Sequence, residues 1–172
     1  AAAVEAEVVL FVDSDCVARP DVVDRVRRAF AENSSLVSLT GSYCDSPPHP
    51  GFFSQYMNLR HHRTHQRAKR EGASFWAGCG AVRLSAFRSC GGYDAARFPK
   101  PMIEDIELGL RLRELGATHL DPDLQVTHMK HWTLRSVVTT DIVHRAIPWS
   151  RLILERGAPN DLNLRRSQRV AA

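Results

Sequence analysis

The stretch that most limits the fold is "EVVLFVDSDCVARPDVV" at residues 7–23. Val8 to Val12 is an unbroken apolar, largely β-branched run, the pattern of a strand covered on both faces in a parallel sheet. It ends on Asp13-Ser14-Asp15, two carboxylates at the tip of a buried strand, where they add nothing to a core. Pro20 then suits the first turn of a helix, and Val22, Val23, Val26 and Phe30 recur at helical spacing until Asn33 ends it. "LVSLTGSY" (36–43) reads as the next strand, "DSPPHPG" (45–51) as a loop, and a polar helix is expected over about 53–70. "ASFWAGCGAVRLSAF" (73–87) reads as a strand, a glycine-bearing turn and a short helix, followed by a loop, "CGGYDAARFPKP" (90–101). "IEDIELGLRLRELG" (103–116) is the clearest helix: Ile103, Ile106, Leu110 and Leu108, Leu112, Leu115 make a broad apolar face, and Gly116 is its expected stop. "ATHLDPDLQVTH" (117–128) supplies another strand, and the chain beyond is amphipathic, helical and basic. Alternating strands and helices predict an α/β layered fold, with a mostly parallel sheet and helices on both faces.

At 172 residues the chain fits one domain large enough to bury a real core. Its composition, 44% hydrophobic and 24% charged without low-complexity tracts or repeats, excludes disordered and fibrous classes. No window is long and apolar enough to cross a bilayer, and no signal-peptide pattern opens the chain. Because "AAAVEAEVVLFVD" enters a core strand so abruptly, the expectation is a fragment of a longer protein. A net charge of +4 permits an anionic partner without naming one. Cys16, Cys44, Cys79 and Cys90 form no C-x-x-C pair, so reduced, mostly buried thiols in a cytosolic compartment are expected rather than a disulfide framework.

Four constellations carry candidate chemistry. Asp13 and Asp15, at i and i+2 on an extended chain, project to one side and can meet one cation beyond the carboxyl end of a strand. Such hard oxygen ligands select Mg²⁺ or Mn²⁺; an Asx-turn with a helix cap explains the same residues. Glu104-Asp105 opens the clear helix, where the dipole favours acids and would keep one ionised as a general base. Gly78-Cys79-Gly80 either lets backbone approach a ligand or makes a tight turn. His128 and His131 follow a probable strand and invite a ligand role, with zinc disfavoured because no cysteine has suitable spacing.

These motifs occur in a telling order: DxD after a buried strand, a glycine turn, "GGYD" followed by "EDIELGLRL", and a histidine after the next strand. The set resembles the family 2 glycosyltransferases of the GT-A fold over about residues 7–132. The resemblance implies a Rossmann-like GT-A scaffold for nucleotide-diphospho-sugar transfer. It implies that Asp13 and Asp15 hold Mn²⁺ or Mg²⁺ on the diphosphate of a UDP- or GDP-linked sugar, with His128 completing the metal shell and His131 as runner-up. Asp105 would deprotonate the acceptor hydroxyl as it attacks the anomeric carbon with inversion, Glu104 would support it, and Gly78, Cys79 and Gly80 would lie against donor sugar and acceptor. The acceptor would be a glycan or lipid-linked molecule. The family's first nucleotide-binding strands have no counterpart here, in keeping with the fragment expectation, and the Q-x-x-R-W motif of processive synthases is absent, which favours single transfer.

Two basic stretches complete the reading. "RHHRTHQRAKR" (60–70) places His61 and His65 at i, i+4, a spacing that can bind metal, although a solvated helix face is the favoured reading. The division expected is a catalytic part at 1–135 and an amphipathic basic helical tail at 136–172. In that tail Trp149, Leu152, Ile153 and Leu154 alternate with arginines, as in a helix lying on an anionic membrane at the cytoplasmic face; ordinary packing explains the pattern as well. Two other functions fit parts of the sequence. One is a non-catalytic basic module for anionic lipid or nucleic acid, although no recognition motif supports nucleic acid, which is not expected as a partner. The other is nucleotidyl transfer, which would use the DxD without needing Asp105.

Overall fold

A computed structural model describes residues 5–100 and 102–156, so the tail beyond Arg156 lies outside the described residues. The chain forms β1 (Val8–Val12), β2 (Cys16–Ala18), α1 (Val22–Glu32), β3 (Leu36–Tyr43), α2 (Phe52–Arg67), β4 (Cys79–Arg83), α3 (Leu84–Ser89), α4 (Glu104–Arg113) and β5 (Ala117–His128). A continuous helical run follows: α5 (Leu134–Thr139), a π-helical turn (Thr140–Ala146) and α6 (Ile147–Arg156).

The strands make one five-stranded sheet in the order β1-β4-β3-β5-β2. The expected mostly parallel sheet is corrected here, because only β3 and β5 pair in parallel; β1–β4, β4–β3 and β5–β2 are antiparallel. Strands β1, β3 and β5 do run the same way, but β4 is inserted between β1 and β3 in the opposite sense. Apolar patterning reports that a strand is covered on both faces and is blind to the direction of its neighbour. The carboxyl ends of β1, β3 and β5 still lie at one edge of the sheet, where α/β folds bind ligands.

Helices cover both faces. Val22, Val26 and Phe30 of α1 pack with Val8, Leu10, Leu39, Ala81 and Leu124 on one side. On the other, Leu108 and Leu112 of α4 and Leu84 and Phe87 around α3 pack with Val9, Phe11, Val37 and Val82. Successive residues of β1 thus feed opposite cores, as a period of two requires. Burying each such side chain contributes roughly 1.5–3 kcal/mol.

Two glycines serve close approach. A Cβ on Gly109 would lie 2.4 Å from the backbone nitrogen of Phe75, so α4 lies directly on the 73–78 segment. Gly116 is the expected stop of α4. The helix instead ends at Arg113, and a Cβ on Gly116 would meet Val37 at 2.7 Å, so its role is to let the chain pass beside β3. The order expected for 73–87 also changes: residues 74–78 are irregular, and the strand runs through Cys79–Arg83 itself.

Helix α2 is clamped on the end of β3. Asn58 donates to the Cys44 carbonyl at 2.7 Å and His62 Nδ1 to that of Tyr43 at 2.8 Å. The C-terminal run docks on α2 through a two-pronged Arg60–Asp141 ion pair at 2.7 and 2.8 Å, and buries Leu152 beside Ile103 and Ile106. The π turn precedes Pro148, which has no N–H to give and whose ring crowds the carbonyl one turn back. The wider i→i+5 winding aligns residues four to five apart, and Thr140, His144, Arg145 and Trp149 all line the same cavity. Among the described residues no helix is long and apolar enough to cross a membrane.

Candidate active site

One cavity of about 420 Å³ opens at the carboxyl ends of β1, β3 and β5, and it gathers Asp13, Asp15, Glu104, Asp105 and His128. The Asp13-Ser14-Asp15 segment is a tight turn closed by the Cys16 N–H on the Asp13 carbonyl at 2.9 Å, so the extended geometry expected for it is not found. Nor does it cap α1, which begins after Asp21. The turn lets β2 fold back onto β5 with Cys16 opposite His128, and Met129 N–H bonds the Asp15 carbonyl at 2.7 Å. That register brings His128 Nε2 to 3.4 Å from Asp15 Oδ2. His128 is buried, with its ring stacked on Tyr43 at 4.4 Å. His131 is exposed and lies against His49 instead.

Electrostatics concentrate negative charge here. Burial raises the Asp13 pKa first, then the charges of Asp15 and Glu104, while Lys130 pulls it down. His128 is pushed below the usual imidazole range, chiefly by burial and against the pull of Asp15, which favours the neutral, ligand-competent ring. Asp15, Cys16 and His128 present ligand atoms within 4.8 Å of one another. A cysteine therefore does reach the site, contrary to the spacing argument, because sheet register and not sequence spacing brought it. Its thiol is pushed up to about 12 by burial and by the neighbouring aspartates, so without a metal it stays protonated. Asp13 lines the same cavity but is not one of these three; the Asp15 carboxylate with a neutral imidazole is compatible with Mn²⁺ or Mg²⁺.

Asp105 sits at the mouth of α4. Its Oδ1 accepts from Ile106 N–H at 2.7 Å and its Oδ2 from Ala77 N–H at 3.3 Å. The helix start is expected to keep it ionised, and these bonds act in the same direction. Burial and the charge of Glu104 outweigh them, and its pKa is pushed up to about 7. Glu104 accepts from Met102 N–H at 2.6 Å. The helix is fixed by buried Glu107, which takes Arg111 through Nε and Nη2 at 3.0 and 2.6 Å, while Arg111 Nη1 donates to the Cys90 carbonyl at 2.5 Å.

Gly78, Cys79 and Gly80 are not among the lining residues, against the expectation that they touch ligand; Trp76 and Ala77 take that place. A Cβ on Gly78 would lie 2.1 Å from the Trp76 indole, and one on Gly80 would lie 2.4 Å from the Trp76 carbonyl. The glycines act at one remove, by seating Trp76. Cys79 is fully buried in the core.

Sequence reasoning assigned His61 and His65 to a solvated helix face, and the structure overturns this. Both are buried, at 6% and 4% exposure, and line the cavity. His61 Nδ1 and Nε2, His65 Nδ1 and the indole nitrogens of Trp132 and Trp149 are buried without a hydrogen-bond partner among the described residues. A buried polar atom left so costs about 1–3 kcal/mol. Burial drives His61 well below the usual imidazole range and His65 to about 4, so both are neutral at physiological pH. Partly buried Arg145 also faces the cavity, steadied by Asp141 at 3.3 Å.

A sequence profile of the "Glycosyltransferase like family 2" matches residues 1–140. The chain belongs to this family. Among curated proteins no sequence matches it. This glycosyltransferase therefore has the GT-A fold its family implies, realised with a mixed sheet, and it acts with a nucleotide-sugar donor and an acceptor. Membership sets aside both the non-catalytic basic module and the nucleotidyltransferase.

Proposed function

We propose that this glycosyltransferase carries out a metal-dependent, inverting transfer of a sugar from a UDP- or GDP-linked donor to an acceptor hydroxyl. The observation that carries the reading is the convergence of Asp13, Asp15 and His128 with Asp105 and Glu104 in one cavity. Asp13, Asp15 and His128 would hold Mn²⁺ or Mg²⁺, which supplies Lewis-acid stabilisation of the departing diphosphate. The crowding of Asp13 by Asp15 and Glu104 favours a cation there.

Asp105 accepts the proton of the acceptor hydroxyl. The acceptor oxygen bonds to the anomeric carbon as the bond from that carbon to the diphosphate oxygen breaks, and the electron pair leaves with the nucleoside diphosphate. A carboxylate with a pKa near 7 is matched to this work, since a large share of it is ionised near neutral pH and it is still basic enough to take the proton. Glu104 raises that basicity through its charge. Lys130, which pulls the Asp13 pKa down, and Arg145 place positive charge at the same cavity and favour the anionic leaving group.

Residues 1–135 would be the catalytic part. The helical run after it would touch a membrane at the cytoplasmic face, with a lipid-linked or envelope glycan as acceptor. Exposed Leu134, Val138, Ile142, Ile147 and Leu154 on that run support this, while Leu152 and Trp149 pack inward; flotation of the protein with anionic vesicles tests it, and absence from the vesicle fraction counts against it.

Calorimetric titration of UDP and GDP with and without Mn²⁺ tests the site. Binding that needs Mn²⁺ and disappears in Asp15→Ala, at an unchanged melting temperature, is expected. Nucleotide binding indifferent to both would overturn the metal assignment.

A further inference from the structure

The acids and His128 account for one end of the cavity; its other walls carry groups the transfer chemistry does not use. They are both ring nitrogens of His61 and Nδ1 of His65 from α2 and two indole N–H groups, one following β5 and one on α6, all buried without a partner among the described residues. Trp76 lies between them, its ring 4.7 Å from that of His65 and 4.7 Å from Tyr43. None of these side chains is charged when the imidazoles are neutral. Each neutral imidazole offers one donor and one acceptor, and each indole N–H one donor. The matching ligand is uncharged, presents hydroxyls that both give and accept hydrogen bonds, and has C–H faces that can lie on an aromatic ring. Phosphate fits poorly, because it offers acceptors only and is drawn to the Lys130 and Arg145 charges instead.

We propose that His61, His65 and the indole N–H groups of Trp132 and Trp149 form a subsite that reads the hydroxyl groups of a pyranose ring. The assignment rests on the transfer reading above, which brings a hexose into this cavity. The pyranose comes from one of two sources, the sugar of the donor or the terminal sugar of the acceptor, and the hydroxyl chemistry is the same for both. His61 and His65 are positioned for this by α2, whose i, i+4 spacing puts both rings on the face turned to the cavity.

The three tryptophans of the chain, Trp76, Trp132 and Trp149, all line this cavity, so intrinsic fluorescence reports on it directly. The experiment titrates the whole protein with the methyl α-pyranosides of glucose, mannose and galactose, and with UDP and GDP plus Mn²⁺. At least one glycoside should change the fluorescence saturably. His61→Phe and His65→Phe, each tested alone, should weaken that binding by at least about tenfold, as expected when a site built to bond hydroxyls loses a partner. They should melt at or above the wild-type temperature and keep Mn²⁺–nucleotide binding. A nucleotide-hexose that binds with Mn²⁺ and displaces the glycoside identifies the subsite as the donor's; simultaneous binding identifies it as the acceptor's. A flat response to all three glycosides overturns the proposal. So does undiminished binding by both variants, and a lower melting temperature with unchanged binding marks the histidines as core residues. Glycoside binding without any Mn²⁺–nucleotide binding would sink the metal-dependent reading while leaving the subsite standing.

Discussion

The two sides of the cavity solve opposite problems. One crowds the carboxylates of Asp13, Asp15, Glu104 and Asp105 until burial and mutual repulsion raise the pKa of Asp13 and take that of Asp105 to about 7. The other buries His61 and His65 until they lose their charge, and leaves three of their nitrogens unpaired among the described residues. The first is an excess of charge that calls for a cation; the second is an excess of neutral hydrogen-bonding capacity that calls for hydroxyls. Both sides cost stability, and substitution should expose that in different ways.

The largest effect belongs to Asp105. Asp105→Asn should lower the transfer rate by roughly 10²- to 10⁴-fold, the usual share of a general base. Retained turnover would remove the acidic side from the mechanism. Because the ionised form is the base, kcat/KM in the wild type should fall as pH drops through about 7. For stability the sign is opposite: the folded pKa lies above the unfolded value, so this group's contribution is fully present below about pH 4 and is lost as pH rises to about 7. Thermal melts of the metal-free protein should show that slope, and Asp105→Asn should flatten it.

Next comes the choice of histidine. His128→Ala should weaken Mn²⁺-dependent nucleotide binding by more than the roughly 10- to 100-fold typical of losing a group behind the ligands, whereas His131→Ala should leave it unchanged. Equal effects in calorimetry would undo the geometric distinction. On the imidazole side, His61→Phe should stabilise the fold by about 1 kcal/mol, because an apolar ring removes two unsatisfied nitrogens. A large loss measured by denaturant unfolding would show a structural role instead. The smallest effect is expected at Arg60: Arg60→Met breaks a part-exposed ion pair and should cost about 1 kcal/mol or less. A larger cost would mean that this pair fixes the π turn and, through it, the cavity wall.

The acidic side was legible in the sequence because its members come as neighbours, Asp13 with Asp15 and Glu104 with Asp105, after strands and before helices whose patterning is plain. The imidazole side was not, because α2 carries polar residues all round and so presents no apolar stripe to mark the buried face. Its burial arises from the clamp on β3 and from the C-terminal run laid across it, contacts between distant segments. Strand direction was hidden for the same kind of reason, since β4 differs from a parallel strand in its partners and not in its pattern. β2 escaped notice because three residues are too few for periodicity, and yet its register decides that His128, not His131, meets Asp15.

The π turn at Thr140–Ala146 makes the cavity sensitive to chain length in a way that residue identity does not capture. An α-helix advances by roughly 100° per residue, and the wider turn takes up one residue more over nearly the same arc. Deleting one residue from the turn would let ordinary winding resume with Trp149 and Leu152 still near their faces, but would break the line of Thr140, His144 and Arg145 along the cavity. Deleting Ile147 instead would swing Trp149 and Leu152 away together, although neither had been changed. Side chains along this helix can be exchanged one at a time, but its count is part of the site.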